Sequence, residues 1–169
     1  MKLPVRVLAV GGLAAVLVST VGLSAADAST TDSTVTITAT RTAGPGVRAA
    51  ADVITCKITA HNPHYSHHAH AKNRDIVNVT ADLKCSKKVA GISIQVALYK
   101  NNTLYKKSAV KRNAGKNYIS QNAARRCVKK QHYTGVAVGT VNFPPGYTPS
   151  SQSGRSQSKT VYIAACKKK

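Results

Sequence analysis

The run Ile76 to Cys85, IVNVTADLKC, sends Val77, Val79, Ala81, Leu83 and Cys85 to one side and Asn78, Thr80, Asp82 and Lys84 to the other. Ten residues of strict alternation predict a half-buried antiparallel strand whose dry face ends in a cysteine. The same period recurs elsewhere. Val53 to Ala60 turns Ile54, Cys56 and Ile58 to one face, and Ile92, Ile94, Val96 and Leu98 repeat the pattern before an Asn101-Asn102 turn. Leu104 to Val110 then reads as the more exposed return strand of a hairpin, and Arg112 to Lys116, RNAGK, as a turn around Gly115. Tyr118 to Val128 fits two structures. Its alanines and Asn122 as a cap favour a short helix, whereas an irregular strand would carry Cys127 inward; we read it as strand.

Lys129 to His132 is a polar turn, and Tyr133 to Phe143 a long strand on which Gly135, Ala137 and Gly139 leave one face nearly flat. Small residues there point to a closely approaching neighbour. Pro144-Pro145-Gly146 ends that strand, Thr148 to Ser158 is a Ser-rich segment expected to be a mobile loop, and Val161 to Cys166 is the closing strand. About seven short strands with two-fold alternation predict an all-β fold, an antiparallel β-sandwich of immunoglobulin-like size.

Two segments precede the core pattern. Met1 to Ala28 has a basic start at Lys2 and Arg6, an apolar run from Val7 to Val18 and small residues around Ala26, and reads as a signal peptide. A membrane anchor is the alternative, but the apolar run is short and no basic stop follows, so no membrane span is expected after processing. Residues 29 to 51 are rich in Thr, Ala and Gly and are interrupted by Gly44-Pro45-Gly46. They read as a flexible N-terminal extension. The stretch TVTITAT within them has strand propensity, which offers a donor strand for the sheet edge of a partner or of its own domain. The domain proper is then 52 to 169.

Cys56, Cys85, Cys127 and Cys166 are an even number in a chain read as exported, and none lies in a C-x-x-C pair. Two disulfides are expected. Three connectivities exist; Cys56 with Cys85 and Cys127 with Cys166 is preferred, because a hairpin would place the first pair on neighbouring strands. With one Phe and no Trp among 169 residues the core is thin, so such staples matter.

Charge sets the partner class. The chain has 25 basic and 5 acidic residues; loss of the leader would leave 23 and 4, a net charge of +19. Such a field favours polyanions, with solubility as the plain alternative. Basic pairs at Lys106 and Lys107, Arg125 and Arg126, and Lys129 and Lys130 are candidate polyanion contacts, with tyrosines interspersed. Export makes an anionic envelope polymer a better partner than nucleic acid. His61, His64, His67, His68 and His70 lie within HNPHYSHHAH, where imidazoles could hold zinc or copper weakly, add charge near pH 6, or simply be solvated. No resident cofactor is implied. Paired carboxylates, a G-x-S-x-G turn and a phosphate-binding Gly-rich loop are all missing, which speaks against catalysis.

With the cysteine frame and the segments CKITAHNPH, VTADLKC, ALYKNNTL and FPPGYTPSSQSG, the chain resembles small secreted proteins of filamentous actinobacteria over Val53 to Cys166. That resemblance implies a fold and an extracellular habitat more than an activity. The chain is also similar to the small adaptor subunits of umbrella toxin particles, which implies a compact β-domain whose N-terminal extension docks into a partner. The expected function is therefore a secreted, non-enzymatic binding or adaptor module that engages a protein partner through residues 29 to 51. A cationic antimicrobial or envelope-binding protein and a surface metal binder are the alternatives.

Overall fold

The computed structural model describes residues 34–44, 50–66 and 75–166. They form eleven strands and no helix, arranged as two antiparallel sheets. The first sheet contains β1 (Thr34–Arg41), β2 (Asp52–Ala60), β3 (His64–Tyr65), β4 (Ile76–Cys85) and β8 (Tyr118–Arg126). The second contains β5 (Gly91–Lys100), β6 (Thr103–Lys107), β7 (Lys111–Ala114), β9 (Gln131–Asn142), β10 (Ser151–Gln157) and β11 (Val161–Ile163). One disulfide, Cys56–Cys85, lies within the first sheet, and the other, Cys127–Cys166, ties the end of β8 to the end of β11 in the second.

The count exceeds the seven expected because the extension adds β1 and because three strand positions are each split into two pieces. β8 occupies one edge of β4, so β2 and β3 share the other; β9 occupies one edge of β5, so β6 and β7 share the other. β10 and β11 divide the free edge of β9 in the same way. Serine hydroxyls carry the ladder across two of these breaks. Ser108 donates its N–H to Val96 O at 2.8 Å while its Oγ accepts the Val96 N–H at 3.0 Å, and Ser158 does the same with Gly135 at 2.8 Å on both sides. Buried backbone groups thus stay paired where the strand is interrupted.

The alternation seen in the sequence becomes the core. Ile54, Ile58, Val77, Val79, Leu83 and Ile119 from the first sheet meet Ile94, Val96, Leu98 and Val141 from the second, all buried. Tyr133 is the one aromatic ring among the largest fully buried side chains. Its hydroxyl donates to Val128 O and accepts the Val128 N–H, both at 2.9 Å, which satisfies the one polar atom it takes inside. Burial pushes its pKa up. The Asn101-Asn102 hairpin has both residues at positive φ, 47° and 64°, as a tight primed turn requires. Cys56 stands directly opposite Cys85 in the β2–β4 ladder, and Cys127 bonds Cys166, the connectivity preferred from the sequence.

Three expectations change, and one choice between alternatives is borne out. Residues 151–157 of the Ser-rich segment form β10 rather than a loop: its small side chains let it lie flat over the core, where Gly154 faces Ile58 and Ile37. Within the expected extension, Thr34–Arg41 forms β1 and pairs with β2 along its whole length, burying Ile37 and Ala39; of the three roles weighed, pairing with its own domain is the one adopted. The polar segment after Ala60 contains β3, and the return strand at 104–110 is β6 and the start of a break before β7. The ambiguous Tyr118–Arg126 is strand, paired with β4 over nine residues, a tertiary pairing that outweighs the alanines' helix preference.

One polar cluster locks this framework. Asp52, at the start of β2, accepts hydrogen bonds from Arg41 at 3.0 Å and from Tyr147 at 2.7 Å, and from Lys87. The Arg41 guanidinium lies over the Tyr147 ring at 5.0 Å. β1, β2 and the turns after β4 and β9 therefore meet at one carboxylate. The Lys87 ammonium first, then the Tyr147 hydroxyl, hold the pKa of Asp52 down at about 2. A carboxylate depressed in the fold contributes stability above its unfolded pKa, about 4, and loses it as pH falls toward 2. The thermal midpoint is expected to drop across that window, and Asp52→Asn to start lower and flatten the drop; an unchanged pH profile in the variant would remove this role.

Candidate polyanion-binding surface

From Leu83 to Lys169 the chain has no Asp or Glu, yet it carries 18 of the 25 basic residues. Those residues build the whole second sheet and β8. The described carboxylates, Asp52, Asp75 and Asp82, all belong to the β2–β4 part of the first sheet, and each has a partner: Asp52 the cluster above, Asp75 the Tyr65 hydroxyl at 2.5 Å, Asp82 the His61 Nε2 at 2.5 Å. Positive charge on the second sheet is thus unneutralised from within.

β8 meets β6 and β7 along a seam between the sheets, closed by side chains that bond backbone. Lys111 Nζ donates to Ser120 O at 3.0 Å, Gln121 Nε2 to Ala109 O at 3.2 Å, and the Tyr105 hydroxyl to Arg126 O at 2.8 Å. At the end of the seam, Tyr105 has Arg125 at 4.6 Å and Lys100 at 4.9 Å from its ring centre. Such contacts hold both cations against an aromatic face.

The six basic residues singled out in the sequence do not form one patch. Arg125 is engaged on Tyr105, and Arg126 lies opposite Ile76 at the end of the β4–β8 ladder. Lys106 and Lys107 are exposed on β6, with Lys107 opposite Ala97; Lys129 and Lys130 are exposed in the turn into β9. The histidines are divided too. His61 pairs with Asp82, and His64 lies on β3 with Nδ1 3.3 Å from Asn62 O, while His67, His68 and His70 lie outside the described residues. Among the described residues no group of three metal-ligating side chains occurs.

The outer face of the second sheet holds what the sequence reading missed. Ala97 and Tyr99 on β5, Leu104 on β6, and Val136 and Val138 on β9 form an apolar patch bordered by Lys107 and Arg155. Two adjoining depressions of about 220 and 170 Å³ share Tyr99, Val136 and Arg155. Leu104 is 51% exposed and Val138 45%. Arg155 escaped notice because its segment lacks apolar alternation; its register opposite Val138 supplies the missing signal.

No family model, curated protein or solved structure matches the chain. Among the described residues no helix is long and apolar enough to cross a membrane, and the two disulfides fit an oxidising environment.

Proposed function

We propose that this chain is a secreted, non-enzymatic binding module that holds an anionic polymer of a cell envelope against its second sheet. The observation that carries the reading is charge segregation: the strands of the second sheet carry Lys100, Lys106, Lys107, Lys111, Arg112 and Arg155 and no Asp or Glu, on a framework that the disulfides keep rigid. A surface of one sign concentrates polyanions and releases their counterions on contact. The engaged state of all three described carboxylates supports a binding role over acid–base chemistry.

Titrating the oxidised protein with polygalacturonate at several salt concentrations tests this. Affinity is expected to fall at least about tenfold between roughly 50 and 200 mM salt, with a linear log–log dependence. Replacing Lys107, Arg112 and Arg155 with Gln should lower both the affinity and the slope. Absence of binding at 50 mM would overturn the reading.

A second reading rests on β1. Thr40 exchanges backbone bonds with Thr148, both 2.9 Å, on the side away from β2. By ladder parity Thr36 and Thr38 turn their N–H and C=O groups the same way, and these have no backbone partner among the described residues. An adaptor role passes in this way from a detachable arm to an open sheet edge that could accept a partner strand. Binding that survives high salt in the same titration format, with a protein partner, would favour it.

A further inference from the structure

We propose that the cleft around Tyr99 is a subsite for a hexuronate unit of an acidic polysaccharide, an inference that rests on the polyanion reading and names its ligand class. The cleft gathers several apolar side chains on the outer face of the second sheet. On the first sheet the outward row is Thr34, Thr59, Asp82 and Ser120, polar at every position. On the second sheet the row Gln157, Val136, Ala97 and Lys107 is apolar at its two central positions, and Val138, between Arg155 and Gln95 in the next row, and Tyr99 lie beside it. An apolar floor has nothing to offer an inorganic polyphosphate chain, whose surface is polar throughout. It suits a pyranose ring, which has an apolar face and a polar rim, the usual division of labour in a binding site.

The rim supplies cations for the carboxylates. Arg155 lies opposite Val138, and its guanidinium makes one long contact, 3.4 Å to Gln157 Oε1, so most of its donor fork faces outward unengaged. That planar fork matches a carboxylate or a phosphate bidentately, as a lysine cannot, so it is the apolar floor that favours the sugar. Lys107 borders the same depression from β6. β10 and β6 are separated by β9 and β5, so the strands that carry the two cations stand roughly 14 Å apart at the usual strand spacing. That spacing fits charges repeated along a polymer laid across the strands better than a single small anion.

The test compares three probes by backbone and side-chain NMR of the oxidised protein at about 150 mM salt, a physiological screening length. They are a galacturonate oligomer, its methyl-esterified neutral form, and polyphosphate of equal charge. The galacturonate oligomer is expected to shift Tyr99, Val136, Val138 and Arg155. Arg155→Gln and Val138→Asp, both at exposed positions, should each weaken its binding about tenfold or more while leaving the thermal midpoint unchanged. The ester should bind far more weakly. Retained galacturonate affinity in both variants would overturn the subsite and leave the polyanion reading standing. Polyphosphate that shifts the same residues with equal affinity would overturn the sugar class, and no binding of either polyanion would overturn both.

Discussion

Reduction of both disulfides is expected to lower the unfolding free energy by roughly 7 kcal/mol, about 3 to 4 from each bridge on the chain-entropy estimate. A domain of this size has about 5–15 kcal/mol in all, so the reduced protein should be largely unfolded or close to it at room temperature. The two closed loops, 29 and 39 residues in separation, do not overlap in sequence, and for that reason their effects should add. The bridges differ in what they hold. Cys56 and Cys85 already face each other within a five-residue ladder, 3.9 Å apart at Cα, and both are buried. Replacing them with Ala should cost stability across the whole domain and leave a small cavity as well. Cys127 and Cys166 instead anchor the chain end beyond β11, which has only three ladder pairs of its own. Loss of that bridge should raise amide exchange at Val161 to Ile163 before anything else, and a mild thiol should reach it first because Cys166 is only half buried. Urea unfolding followed by far-ultraviolet circular dichroism checks the sum. A midpoint unmoved by reduction would mean that the sheets alone fix the fold.

The parts legible in the sequence were those where one face of a strand is buried and the other wet. In β4 and β5, Val77 to Leu83 and Ile92 to Leu98 alternate without a fault, and each turned out buried at every apolar position. β10 escaped because its inward positions are Gly154, Ser156 and Gln152: the backbone pairs with β9, but there is no apolar alternation to announce it. Its core contact is supplied from across the sandwich by Ile58, whose side chain fills the space that Gly154 and Gly139 leave. β1 was visible as propensity yet ambiguous in role, since TVTITAT says that a strand forms and says nothing of which sheet takes it. The polyanion surface shows the same limit from the other side. A count of basic residues gives the sign of the field, whereas the cleft depends on β9 placing Val136 and Val138 between β5 and β10, a register that no local pattern specifies.

Gly135→Ala is expected to cost about 3 kcal/mol, the upper part of the range for forcing atoms into a packed core. The flat face of β9 exists because the first sheet presses onto it. A Cβ at Gly135 would stand 2.2 Å from Val79 Cγ2, and 3.3 Å from both His61 O and Ser158 Oγ. Val79 is fully buried on β4 and short, so it cannot swing away, and Ser158 is held because its Oγ accepts the Gly135 N–H. Gly139 is the informative comparison. Its added Cβ would meet Leu83 Cδ1 at 2.8 Å and Ile58 Cδ1 at 3.0 Å, the far ends of longer side chains that can rotate, so Gly139→Ala should cost less. Gly44 has nothing within 4 Å, and alanine there should be close to neutral. The decisive measurement is a double-mutant cycle by chemical denaturation. Val79→Ala alone removes two buried methyl groups and should destabilise by about 2 kcal/mol, but added to Gly135→Ala it should restore stability, giving a coupling energy of opposite sign to the single effects. Strict additivity of the two changes would mean that the sheets can part locally at this point, and that the close approach is not what demands glycine there.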